Sequence, residues 1–204
     1  VKFYADGALG SRGAALLEPY TDDPGNRGLF VTPPDSLAAG VARVVEAGLQ
    51  PVIHAIGDAG NRGALDAIES SGAAAAGGLP PRIEHAQVIA LEDIPRFASL
   101  GVVASVQPTH ATSDMYWAEE RVGPERIQGA YAWRKLRVAG ATIVCGSDFP
   151  VERANPFHGL HAAVTRTDAE GWPEGGWRAE ERMTREEALA CFTRDAAAVA
   201  GMAD

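Results

Sequence analysis

Ala141-Thr142-Ile143-Val144-Cys145-Gly146-Ser147-Asp148-Phe149-Pro150-Val151-Glu152 is the stretch whose reading decides the fold. It opens with a short apolar run, rich in β-branched residues, of the kind that forms a buried strand. Gly146 breaks the run, Asp148 follows, and Pro150 prevents easy continuation as strand or helix. A carboxylate at the C-terminal end of a buried strand is where an α/β protein places a reactive group. A lone Asp in a turn is otherwise most simply a turn cap. The first reading gains weight because earlier strands in this chain also end in ionisable residues.

Working outward, residues 51–54 form a short strand pattern ending in His54, and residues 81–85 another ending in His85. Residues 102–106 read as a strand followed by Gln107-Pro108-Thr109-His110, and residues 1–5 as a strand at the start of the chain. Between them, apolar spacing and cap residues predict helices over about 35–47, 61–70, 92–100, 127–138 and 155–164. A last helix is expected from Thr184, capped by Glu187, with Leu189, Phe192 and Val199 inward. Residues 7–34, the Ala/Gly tract 72–78, residues 111–126 and residues 168–177 read as loops. Five strands alternating with helices imply an α/β protein with a parallel sheet.

The 204 residues suffice for one sizeable core. A net charge of −9 leaves no basic stripe for a nucleic acid or an anionic membrane. No apolar run approaches the ~20 residues of a membrane span. No Gly-x-Gly-x-x-Gly follows a strand, so dinucleotide binding has no local support. Cys145 and Cys191 read as small core residues in a reducing compartment, pointing to a cytoplasmic protein without a disulfide framework. The chain opens on Val-Lys-Phe, which suggests a processed product or a fragment.

Parallel strands put their C-terminal ends on one side, so His54, His85 and Asp148 should converge at one mouth. Imidazole and carboxylate suit zinc, iron, nickel or manganese. Either histidine alone is more often a hydrogen-bonded structural residue; two at matching strand ends, with an Asp at a third, favour metal. Alternation puts Lys2, Tyr4 and Asp6 on one face of the first strand. A lysine buried beside a metal can be recruited as its carbamate, while at a chain end an exposed lysine carries equal weight. His158 and His161 share a helix face and read as structural. Arg12 reads as a solvated loop arginine, within possible reach of a substrate acid or carbonyl.

Val1-Lys-Phe-Tyr-Ala-Asp-Gly7, His54-Ala-Ile-Gly-Asp58, Arg82-Ile-Glu-His-Ala-Gln87, Val106-Gln-Pro-Thr-His110 and Gly146-Ser-Asp-Phe-Pro-Val-Glu152 closely resemble, in this order, the amidohydrolase superfamily. The nearest branch is amidohydrolase family 3, the YtcJ-like proteins that include N-substituted formamide deformylases. The resemblance implies part of a (β/α)8 TIM-type barrel, roughly its strands 4–8 with their helices. Residues 1–204 would form a single domain, the C-terminal portion of the barrel, without strands 1–3 and the small β-sandwich. It implies a metal-dependent hydrolase that cleaves an amide- or formamide-type C–N bond with metal-activated water. The metal ligands would be Lys2, His54, His85 and Asp148. Asp148 would move the proton, and His110 would contact substrate. The cofactor would be a divalent metal, zinc by preference, with Lys2 carboxylated. Glu84 and Asp58 would support the histidines. The expected partner is a small-molecule substrate, with no nucleic acid and no membrane, and a homo-oligomer is allowed. Two other readings remain open: phosphoester or lactone hydrolysis on the same scaffold, and a binding or regulatory protein with a vestigial site. A fragment lacking the remaining family ligands would be inactive alone.

Overall fold

The computed structural model describes residues 1–73 and 77–202, so the middle of the expected 72–78 loop lies outside the described residues. Five strands, β1 (Lys2–Tyr4), β2 (Val52–Ala55), β3 (Arg82–His85), β4 (Val103–Val106) and β5 (Thr142–Cys145), form one sheet in the order β1-β2-β3-β4-β5. Every pair is parallel. Helices cross between them: α1 (Pro34–Glu46), α2 (Asp58–Ser71), α3 (Ile94–Ser99), then α4 (Pro108–Asp114), α5 (Ala118–Arg126) and α6 (Trp133–Val138). After β5 come α7 (Pro156–Thr165), α8 (Arg185–Phe192) and α9 (Arg194–Val199). Sequential parallel strands with helical crossovers make a section of a TIM-type barrel wall.

The register assigns the two faces. Tyr4, His54, Glu84, Ser105 and Val144 lie in one row across the sheet. The alternate row, Phe3, Ile53, Ile83, Ala104 and Ile143, faces the helices, and its last four members are essentially inaccessible. Burial of such side chains stabilises by ~1.5–3 kcal/mol each, so the helix face fixes the register. The opposite face is polar, with Lys2, Tyr4, His54, Arg82, Glu84 and Ser105 along it. Val52 interrupts this face, and at the β4–β5 end Val103 and Val144 meet Val199 of α9.

Several expectations are corrected. Residues 111–126 are not a loop: α4 and α5 occupy most of them, and Gly123, with φ 76°, kinks α5 ahead of Pro124. The polar surface of this segment hid its helical backbone. The final helix is broken at Thr193 into α8 and α9, and α8 buries Ala188 and Cys191, leaving Leu189 57 % exposed. The capping box of Thr184 with Glu187 is present, as is the Asn155 cap of α7. The first loop is present as expected, up to α1, and buries Leu9, Ala14, Leu16 and Tyr20. Cys145 and Cys191 are joined as a disulfide, Cα atoms 5.1 Å apart across a separation of 46 residues. The expectation of two unpaired core cysteines therefore fails: α8 lies against the end of β5, and only the fold brings the sulfurs together.

Candidate active site

His54 sits at the C-terminal end of β2 on the polar face. The neighbouring strand ends in His85, whose place in the ladder is opposite Ala55, so plain alternation would aim it at the helices. Its backbone does not continue the alternation: φ is 73° at His85 and 43° at Ala86. Left-handed conformations are costly for non-glycine residues and cluster where function requires them. Here the break brings the His85 ring edge-on to His54, centroids 4.6 Å apart. His110, in the first turn of α4, stacks on His85 at 5.8 Å. Three imidazoles thus share one mouth.

All three are held neutral. Burial and the neighbouring His85 push His54 down to about 4. Burial lowers His85, with His110 adding to the effect, and burial lowers His110 also. The charge of Asp148 opposes these shifts at all three rings. Asp148 lies past the end of β5 with φ 52°. It is exposed, and its side chain accepts no hydrogen bond among the described residues. Lys2 is exposed too, its Nζ 5.1 Å from the Tyr4 ring centroid. It stands two residues below the row that holds His54.

The supporting residues differ from those expected. Glu84 pairs with Arg82 at 2.5 Å, and Asp58 accepts from the Leu17 and Ala59 N–H groups. Gln107 supports His85 instead. Its Nε2 donates to the Ser105 carbonyl at 3.2 Å, so its Oε1 faces His85 Nδ1 at 2.8 Å. An amide oxygen only accepts, so Nδ1 carries the proton and Nε2 keeps a lone pair. Asp6 stands 3.7 Å from His54 Nε2. It accepts from the Ala15, Ile56 and Gly57 N–H groups, tying the first loop to the end of β2. Burial nevertheless raises its pKa to about 6. Both residues lie inside the motifs quoted above, and Asp6 shares the parity of Lys2 and Tyr4. Arg12 is ion-paired with Asp22 at 2.8 Å. His158 and His161 line a separate cleft.

The donors fit a divalent metal in their chemistry. His54 Nε2 is buried without a hydrogen-bond partner among the described residues, and His85 offers an unprotonated Nε2. Among the described residues, no three His, Cys, Asp or Glu side chains stand close enough together to hold an ion. A parallel wall with histidines and one carboxylate at its C-terminal strand ends defines the class of TIM-type barrels that gather their ionisable side chains at one mouth. Within it the chain belongs to the amidohydrolase family, whose profile matches residues 1–204. It is 34 % identical over 199 residues to YtcJ of Bacillus subtilis (strain 168), covering 98 % of this chain and 37 % of that protein. It is 40 % identical over 204 residues to Protein LONG AFTER FAR-RED 3 of Arabidopsis thaliana, covering 98 % of this chain and 34 % of that one. The crystal structure of an uncharacterized metal-dependent hydrolase from Pyrococcus furiosus superposes with a TM-score of 0.85 at 36 % identity. That match covers 100 % of this chain and 40 % of the other. The chain therefore spans little more than a third of the length of the two named relatives.

Proposed function

We propose that this chain carries the reactive half of a metal-dependent amidohydrolase that cleaves a C–N bond, of amide or formamide type, in a small molecule. One observation carries the reading: His54, His85 and His110 meet as neutral imidazoles at a single mouth, within reach of the Asp148 charge. His54 and His85 would hold the ion, joined by Asp148 and by Lys2 as its carbamate. A divalent ion there, zinc on the donor types, would polarise the scissile carbonyl and acidify water at neutral pH.

The chain's own groups supply the proton path and the orientation. Asp148 is unencumbered by hydrogen bonds, so it is free to accept a proton from the attacking water and pass it to the leaving nitrogen. Gln107 holds His85 in one tautomer and so keeps the Nε2 lone pair free of a proton. His110 Nε2 is buried and unpartnered, and pairs with the substrate's carbonyl or amide. Lys2 and Tyr4 frame the β1 side of the mouth.

The absence of a three-donor group among the described residues favours a second reading, a binding protein with a vestigial site. The full-length protein that contains this chain separates them. Its metal content is measured after purification, and hydrolysis of N-formyl amines, simple amides, lactones and phosphoesters is followed before and after zinc reconstitution. Zinc-dependent release of amine supports the proposal. Zinc-dependent turnover confined to lactones or phosphoesters refutes the bond assignment. Metal-free, inactive protein that stays inactive after reconstitution refutes the enzyme.

A further inference from the structure

We propose that the cleft beside the imidazole mouth is a subsite for a basic group, an amine in its ammonium form, carried on the substrate of the same site. It lies between α4, α7 and residues 167–170, with an open volume of about 390 Å³. That is in the lower part of the ~300–1,000 Å³ range of ligand pockets. The word "substrate" rests on the hydrolase reading; the binding chemistry does not.

The cleft and the mouth share a wall. Thr109 lines the cleft, and the next residue, His110, stacks on His85. Thr109 Oγ1 and His110 Nε2 are both buried, and neither has a hydrogen-bond partner among the described residues. Buried polar atoms are nearly always paired. Thr109 and His110 thus place two unpaired polar atoms on consecutive residues where the cleft meets the mouth.

The lining selects the charge. Glu152, Asp168 and Glu170 stand against a single cation, Arg153. Ser113 donates to one oxygen of Glu152 at 2.7 Å, and the other oxygen accepts nothing among the described residues. Asp168 is fixed by the Tyr116 hydroxyl at 2.5 Å and by the Glu170 and Trp172 N–H groups. Tyr116 is braced against Trp172, rings 5.1 Å apart and 7° from parallel. Half-buried Glu152 and Asp168 and exposed Glu170, beside a braced aromatic ring, are complementary to an ammonium group, through charge-assisted hydrogen bonds and cation–π attraction. An aliphatic group would leave the second Glu152 oxygen unpaired.

Two probes of equal length test this on the full-length protein by calorimetric titration: N-(4-aminobutyl)acetamide and its neutral counterpart N-pentylacetamide. The amine is expected to bind roughly tenfold tighter, as one charge-assisted hydrogen bond provides. Glu152→Gln should bring the two within about threefold while leaving the neutral probe unchanged. Glu170→Gln, at the rim, serves as a second variant if the first does not fold. Equal binding of the probes, binding of neither, or a preference untouched in both variants overturns the proposal. Hydrolysis of the same compounds is read separately. Preference without hydrolysis removes the hydrolase reading and keeps the subsite; hydrolysis without preference does the reverse.

Discussion

Replacing Gln107 by Leu removes the acceptor that fixes the His85 proton and changes little else in volume. Gln107 and His85 are 6 % and 8 % exposed, so water does not take over the lost 2.8 Å bond. Leaving Nδ1–H buried and unpaired costs ~1–3 kcal/mol. The ring can escape that cost only by moving its proton to Nε2, which consumes the lone pair a metal would use. Either outcome is measurable. In ¹⁵N-histidine spectra of the full-length protein, wild-type His85 should show the Nδ1–H form, and Gln107→Leu a substantial Nε2–H population or a less stable fold. Zinc affinity, measured against a competing chelator, should fall by ~10–100-fold, as for other residues that orient a ligating histidine. Gln107→Glu keeps an acceptor and should retain the wild-type tautomer. An unchanged His85 spectrum together with unchanged zinc affinity in Gln107→Leu would refute the reasoning.

Asp148→Asn should keep the fold and lose ~10²–10⁴-fold in kcat with a smaller change in KM; near-wild-type kcat on zinc-replete protein removes Asp148 from the proton path. Burial raises Asp114 to about 6 even though Tyr131 and Gln87 hydrogen-bond to it. The folded state therefore binds that proton more tightly than the unfolded chain. The stabilisation is complete below the ordinary carboxylate pKa of ~3.9 and is lost as pH rises through about 6. Asp114→Asn should flatten that part of the urea-unfolding profile, leaving the slope due to Asp6, which shifts in the same direction. Replacing Cys145 and Cys191 by Ser should cost up to about 4 kcal/mol from chain entropy, given their separation of 46 residues. Non-reducing peptide mapping should find the two cysteines in one linked species.

The order of strands was legible because four of them are short β-branched or apolar runs closed by a polar residue, and the helix caps at Asn155 and Thr184 follow from local chemistry. His54 and His85 were legible as strand-end residues and His110 through the family resemblance, but the way His85 reaches the mouth was not. Alternation alone sends it to the wrong face, and the left-handed backbone at His85 and Ala86 is set by tertiary packing, not by residue type. Leu189 shows the same limit, since α8 buries Ala188 and Cys191 and leaves outward a residue that periodicity placed inward. The roles of Asp6 and Gln107 needed the fold. Each lies in a recognisable motif, but its partners, from Ala15 to Gly57 and from Ser105 to His85, are named only by strand register. The disulfide is the extreme case, because nothing local links Cys145 to Cys191.

The most direct test of the central claim is anomalous diffraction at the zinc edge from crystals of the full-length protein equilibrated with zinc. The proposal predicts a peak between the His54 and His85 rings, with nitrogen atoms of both at the ~2.0–2.1 Å of a zinc–imidazole bond. A mouth without a peak, or a fully occupied ion bound elsewhere while both rings stay unligated, would contradict it.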